Sequence, residues 1–230
     1  MRARAATLPI PEVSRAETLS RQAYNAIRSS IRSGAITPDG FYSEVQLAHA
    51  LRISRTPVRE ALIELEREGL VEIVPQRGFR LRTISESERQ EAYTLRALIE
   101  TYVVKRLAKE ATDDDVAELK RLVNHQEKVS GEPAAFLEAD ENFHLAMASI
   151  LDLERTRRIL LTLRGIIWLA GLDAISNPLR SDAVLEEHRA LVDRIAARDA
   201  NGAAKAMRSH IENTRRAATE RVRLAPAPQA

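Results

Sequence analysis

Apolar residues recur at helical spacing soon after the start of the chain. Leu19, Tyr24, Ile27 and Ile31 fall on one face of a helix that Thr18 can cap and Gly34 can close. Pro38-Asp39-Gly40 marks a turn, and Ser43 then opens a shorter helix with Val45, Leu47, Ala48 and Leu51 on or near its apolar side. Ser54 caps a third helix, which runs to Glu68 ahead of Gly69 and turns Val58, Leu62 and Leu65 inward. The period changes there. Leu70 to Val74 and Phe79 to Arg82 are short β-prone runs around Pro75-Gln76-Arg77-Gly78, which predicts a hairpin. Three helices and a hairpin predict a winged helix-turn-helix over residues 18–83, with Thr83-Ile84-Ser85 as a linker whose serine caps the next helix.

Residues 86–222 carry helical periodicity throughout. Breaks at Thr112-Asp113, Gly131-Glu132-Pro133, Asp152, Asn177-Pro178 and Asp199 to Gly202 divide them into helices at 86–110, 113–130, 133–151, 153–175, 180–198 and 200–222. The expected fold class is mainly α: a winged helix-turn-helix followed by an all-α bundle of six helices, seven being the alternative count. Pro9 and Pro11 near one end, and Pro226 and Pro228 near the other, predict flexible tails at 1–17 and 223–230.

Composition narrows the chemistry. The chain has 230 residues and no cysteine, so any metal must be held by nitrogen and oxygen. Its longest apolar run, near Gly165 to Gly171, is far shorter than the ~20 residues that span a bilayer, and no apolar core follows Met1-Arg2-Ala3-Arg4. A cytoplasmic protein with no membrane partner is expected. The formal net charge of +2 divides unevenly. Residues 1–82 hold 13 Lys+Arg and 9 Asp+Glu, a net +4, whereas residues 83–230 hold 22 and 24, a net −2. A basic head on a slightly acidic body is the footprint of nucleic-acid binding beside a separate partner domain. Every positive residue in the head is Arg, the side chain that can bond guanine or phosphate through two N–H groups.

The run Ser54-Arg55-Thr56-Pro57-Val58-Arg59 sits where a recognition helix would begin, and the first turn of such a helix is the part that meets base edges. Arg55 and Arg59 are four apart and share a face. Thr56 suits phosphate or a thymine methyl, and Pro57 suits a first turn whose N–H groups lack partners. Alternatively Ser54 is only an N-cap and the arginines a solvated face; the flanking elements and the charge division favour DNA. In the hairpin, Arg77 and Arg80 supply charge, while Gly78 allows close backbone approach to phosphate or simply makes the turn.

Asp140 and His144 stand i and i+4 on one predicted helix and can reach one ion. His188 and His210 fall at inward-facing register on two later helices. Together they compose an N3O donor set suited to a divalent zinc, nickel, manganese or iron ion, with positions left open for water or a ligand carboxylate. Spacing alone does not join them, and each could equally be a hydrogen-bonded core histidine. His49 and His125 lack a partner pattern and are expected at the surface. A metal-dependent hydrolase is a competing reading, but the sequence offers no general base beyond Glu141, which points to another side of the helix from Asp140.

Residues 19–82 resemble the DNA-binding domain of the GntR family. The resemblance rests on Leu47-Ala48, the run from Ser54 to Leu62 in the order Ser-Arg-Thr-Pro-Val-Arg-Glu-Ala-Leu, Leu65-Glu-Arg-Glu-Gly-Leu-Val71, and Pro75-Gln-Arg-Gly78. The chain departs from the family pattern at Arg52, where a glycine is usual, at Pro38-Asp39-Gly40, and at Val45, which is basic in some members. Residues 86–222 resemble the FCD ligand-binding domain of the FadR subfamily, nearer its VanR-like branch by helix count, on Asp140-Glu-Asn-Phe-His144, Glu187-His188-Arg-Ala-Leu191 and the late His210. This resemblance implies that Asp140, His144, His188 and His210 hold a metal at the floor of a cavity. It implies too that Arg96 meets the carboxylate of a small organic acid effector, although a salt bridge to Glu100 is its other reading; Arg164 and Asn213 are further candidates. The implied protein is a homodimeric regulator rather than an enzyme, a repressor on a palindromic DNA operator, with a purely metal-responsive regulator as the alternative.

Overall fold

The computed structural model describes residues 17–38, 40–171 and 178–224. Helices α1 (Leu19–Arg32), α2 (Glu44–Leu51) and α3 (Arg55–Arg67) lead into an antiparallel hairpin of β1 (Val71–Val74) and β2 (Gly78–Leu81). Six helices follow: α4 (Glu86–Glu110), α5 (Asp113–Lys128), α6 (Pro133–Ile150), α7 (Glu154–Gly171), α8 (Pro178–Ala196) and α9 (Ala200–Leu224). The expected architecture is the observed one. Several ends move: α8 begins at Pro178, whose fixed φ suits a first helical turn, and α9 continues through Arg223 and Leu224, because no breaker precedes Pro226. Asp39 of the first turn, the break at Asn177, and tail residues 1–16 and 225–230 lie outside the described residues.

Two apolar clusters organise these elements. In the first, Tyr24, Ile27 and Ile31 of α1 meet Val58, Leu62 and Leu65 of α3 and Leu70, Phe79 and Leu81 of the hairpin, all essentially without solvent contact. The inward period of α3 therefore fixes which side of it faces out. In the second, α4 packs along α9 and α7, and α5 along α6 and α8, around Val104, Leu107, Leu119, Phe136, Phe143, Met147, Leu191 and Met207. Among the described residues, no helix is long and apolar enough to cross a membrane.

Local signals at the helix starts were mostly sound. Thr18 accepts from Arg21 N at 3.2 Å, and Ser43 forms a reciprocal capping box with Gln46. Ser54 occupies the N-cap position of α3, yet its hydroxyl makes no capping bond, so that expectation is corrected. Val45 is also corrected: it is exposed rather than on the core side of α2. Arg52 closes α2 in the left-handed conformation (φ 55°, ψ 40°) that the usual glycine would adopt without strain.

Gly78 has a reason the sequence did not disclose. Tyr42, just before α2, lies alongside β2 as a third strand-like segment, with Tyr42 N 2.8 Å from Phe79 O and Phe79 N 2.9 Å from Tyr42 O. A Cβ at Gly78 would stand 2.1 Å from Tyr42 O, and φ there is +112°. Replacing Gly78 by Ala is expected to destabilise the protein by roughly 2 kcal/mol or more through that clash and the strained φ. A thermal melt unchanged from wild type would show that the Tyr42 segment moves aside freely.

Candidate nucleic-acid interface and metal centre

With Val58, Leu62 and Leu65 committed to the core, α3 presents Ser54, Arg55, Thr56 and Arg59 to solvent, while Pro57 is buried against the head. Arg55 Nη2 lies 3.4 Å from Glu44 Oε2 at the start of α2. Glu44, Arg55, Thr56, Arg59, Glu60 and Ile63 line one shallow cleft. At the hairpin, Arg77 and Arg80 stand over the ring of Phe41 at 5.9 and 5.6 Å, and Arg80 Nε also bonds Glu72 at 2.8 Å. Phe41 is half exposed, and stacking a guanidinium on its face limits the wing arginines to fewer rotamers. Neither Glu44 nor Phe41 emerged from the sequence. A large apolar residue at a turn, with no helical partner, was the available signal for Phe41.

The second site lies inside the bundle. Asp140 and His144 on α6, His188 on α8 and His210 on α9 are all buried, and one candidate ligand atom from each lies within 4.8 Å of all the others. Helical spacing accounts for the α6 pair; packing of α6, α8 and α9 brings the other two rings to it. Phe143 stacks on His188 with ring centroids 4.2 Å apart and fixes that ring's plane.

Each imidazole is held from behind by an acceptor. His144 Nδ1 contacts Glu100 Oε2 from α4, His188 Nδ1 lies 2.8 Å from Gln126 Oε1 of α5, and His210 Nδ1 lies 2.7 Å from Glu187 Oε2 of α8. A carboxylate can only accept, so the Nδ1 atoms of His144 and His210 carry a proton toward Glu100 and Glu187. Gln126 is oriented alike, because its Nε2 donates to Asp140 Oδ1 at 3.3 Å and leaves its oxygen for His188. The Nε2 atoms of His144 and His188 are buried with no hydrogen-bond partner. Three rings gathered around one carboxylate and backed by acceptors form the arrangement that metal-binding histidines require, so these residues fit a divalent ion.

Electrostatics agree with that reading. Burial pushes the His144 imidazole down to about 4, against the pull of Glu100, and burial with His210 nearby pushes His188 well below its ordinary value. Burial opposes ionisation of Asp140, but the Arg164 guanidinium in contact with Oδ2 holds its carboxyl well below the usual range. Glu187 is likewise brought to about 2 despite burial, by hydrogen bonds from His210 and Arg180. Glu100 stays ionised because Arg96, with Nε 2.6 Å from Oε1, outweighs the cost of burial.

Beside Asp140 and His210 is a small cavity lined by Tyr93, Arg96, Arg164, Trp168, Val184 and Thr214 among others. Arg96 and Arg164 are buried, and Arg96 Nη2, Arg164 Nε and Nη1, and Trp168 Nε1 have no hydrogen-bond partner. Buried donors on a cation that lack acceptors are costly, which makes the cavity receptive to an anion. Arg96 pairs with Glu100, the salt bridge that was its other reading, and also lines the cavity. Asn213 is placed differently. It is exposed, and its amide donates to Glu187 Oε1 at 2.8 Å behind His210. Glu141 is also committed, to Arg28 and Arg32, and so offers no free base for hydrolysis. His49 and His125 are exposed. Sequence reasoning missed Gln126 and Glu187, whose roles depend on which ring each meets across the bundle.

Comparison with known proteins places this architecture. Residues 19–81 match the family described as bacterial regulatory proteins, gntR family, and residues 91–213 match the FCD domain. The chain belongs to the GntR family of bacterial transcription regulators, in the group that carries an FCD domain. The HTH-type transcriptional repressor RspR of Escherichia coli K12 is 28% identical over 202 residues, covering 85% of this chain and 87% of that protein. The Uxu operon regulator of Haemophilus influenzae is 28% identical over 197 residues, covering 77% and 73%. A solved structure of E. coli McbR/YncC shares the fold with a TM-score of 0.78, at 20% identity over 90% of this chain and 100% of that one. These relatives are transcription regulators, not enzymes, and the chain is a DNA-binding transcription regulator.

Replacing Gln126 with Leu removes the acceptor behind His188 without touching a ligand atom. Zinc affinity, measured by competition with a chromogenic chelator, should fall about 10–100-fold. Undiminished affinity would mean that His188 is not a ligand.

Proposed function

We propose that this protein is a homodimeric repressor acting in the cytoplasm, with residues 18–83 binding a palindromic operator and residues 86–222 sensing a small carboxylate at a metal-containing cavity. The observation that carries the sensor reading is the set of orphaned donors on buried Arg96 and Arg164 beside the orphaned Nε2 atoms of His144 and His188. Asp140, His144, His188 and His210 would hold the ion, which supplies Lewis acidity toward an anionic oxygen. Arg164 lines the cavity, its Nε and Nη1 have no partner, and it would pair with the acid, with Arg96 alongside. Asn213 acts indirectly, by steadying Glu187.

A metal acting as the signal by itself is the second reading. The cavity's free volume is about 40 Å³, room for only a few waters at roughly 10–15 Å³ each. That volume also limits an organic effector to a few carbons unless the walls move. Elemental analysis of the purified protein, followed by operator binding across zinc concentrations with and without acetate, an acid small enough for this cavity and a weak zinc ligand, separates the two. Acetate-dependent release at saturating zinc supports the carboxylate sensor; a response to zinc with none to acetate supports the metal signal.

On the DNA side, Ser54, Arg55, Thr56 and Arg59 would enter the major groove, with Pro57 shaping the first turn. Arg77 and the backbone at Gly78 would meet phosphate at the wing. Dimerisation would use the outer face of α4, where Leu95, Leu98 and Tyr102 recur at i, i+3 and i+7 and stand exposed, with Ile159 of neighbouring α7 also exposed. A second copy of the same stripe is the self-complementary surface that covers it.

Arg55→Ala and Arg59→Ala should each weaken specific operator binding by about 1–3 kcal/mol per lost base contact while leaving nonspecific binding nearly intact. Equal losses on specific and random DNA would reassign them to phosphate. Leu98→Glu should shift the protein toward monomer in analytical ultracentrifugation; a dimer of unchanged stability would move the interface elsewhere.

A further inference from the structure

The DNA-binding head is docked on its own sensor domain by buried charge. Glu141 of α6 receives Arg28 Nη2 on both carboxylate oxygens, at 2.8 and 2.9 Å, and Arg32 Nη2 at 2.8 Å on Oε1. The side chains of Arg32 and Glu141 are only 7% and 6% exposed, so water screens this cluster little. Arg32 Nη1 also reaches Glu138 at 3.1 Å. On its other side Arg28 faces Glu68, with Nε 4.0 Å from Oε2, and Tyr24 donates to the same carboxylate at 2.8 Å. Glu68 is the C-cap of α3. A continuous line of charge thus runs from α6 through α1 to the end of the recognition helix.

Glu141 has a second face. It follows the candidate ligand Asp140 in sequence and lines the cavity beside Arg96 and Arg164. Trp168 of α7 is likewise shared: it lines the cavity and packs against the apolar core of the head. Gly165, one turn earlier on α7, lets that helix approach the end of α3, since a Cβ there would stand 3.3 Å from Glu68 O and 3.1 Å from Leu70 Cδ2.

We propose that Glu141 is the positioning residue of the DNA-binding head: its pairing with Arg28 and Arg32 fixes the orientation of α3, and an anion entering the adjacent cavity loosens that pairing. The physical cause is competition. A carboxylate held by Arg96 and Arg164 beside Glu141 repels it and weakens its hold on Arg28 and Arg32, in an interior where charge interactions are strong. Loosening costs operator affinity because a head free to reorient must be ordered again on DNA. The anion arm rests on the carboxylate-sensor reading; the docking arm does not.

The test uses Glu141→Gln, Arg32→Gln and the double variant in the full-length protein. Trp168 is the sole tryptophan, so its emission reports the docked face directly. Each single variant should red-shift that emission and weaken operator binding by about fivefold or more, the lower end of allosteric couplings. The double variant should be no worse than Glu141→Gln alone, because that change already removes the contact that Arg32→Gln removes. Should Glu141→Gln fail to fold with two cations left unpaired, Arg28→Gln with Arg32→Gln carries the same comparison. Wild-type emission and operator affinity in these variants, or losses that simply add, would overturn the proposal. Acetate with zinc should red-shift Trp168 in the wild type and produce no further shift in Glu141→Gln. Calorimetric binding of acetate with an equal fall in operator affinity in both proteins would overturn the coupling. Absence of acetate binding would count against the carboxylate reading alone, the docking being decided by the variants.

Discussion

Charge buried inside the helical bundle has to be neutralised by other parts of the same bundle, and most of what is distinctive in this protein follows from that constraint. Asp140, Glu100 and the imidazoles of His144 and His188 are almost fully removed from water, as are Arg96 and Arg164. Isolated charges in such a place would neutralise or unfold the region. Here carboxylates and guanidiniums are interleaved: Arg96 with Glu100, Arg164 with Asp140, Arg180 with Glu187. The pairing is incomplete on one side, where N–H groups of the arginines and Nε2 atoms of the histidines remain without partners. A structural ion-pair network would be expected to close on itself. Here several donors and lone pairs stay unmatched inside the bundle.

The same principle reaches the head. Arg28 and Arg32 of α1 are satisfied by glutamates of α6 and, for Arg28, by the C-cap of α3. The head's own core holds α3 in register through Val58, Leu62 and Leu65, so a shift of α1 against α6 carries the exposed Arg55 and Arg59 with it. Rigid packing inside each unit and charge pairing between units are the physical means by which the proposed coupling would act.

A metal between α6, α8 and α9 would tie together helices distant in sequence. Glu100, Gln126 and Glu187 come from α4, α5 and α8, so the groups that orient the three rings draw in most of the bundle. The centre is therefore also a fold constraint: the tautomer of each histidine is set by a helix other than its own. Removing such a support changes the donor atom presented, not merely its stability.

The sequence by itself determined the order and type of nearly every element, because apolar periodicity and capping residues are local. Thr18, Ser43 and Ser85 mark helix starts whatever surrounds them, and Val58, Leu62 and Leu65 define an inward face that leaves Arg55 and Arg59 outside. It also determined that Asp140 and His144 share a helical face. Tertiary structure alone decided which atoms meet. The requirement for glycine at 78 comes from Tyr42, far away in the chain; Asn213 is drawn to Glu187 and not to the cavity; Glu141, which looked like an idle neighbour of Asp140, pairs with Arg28 and Arg32 of the head. Each of these depends on a contact between segments whose separation carries no periodic signal. The spacing that reveals a helix says nothing about the angle at which it crosses another.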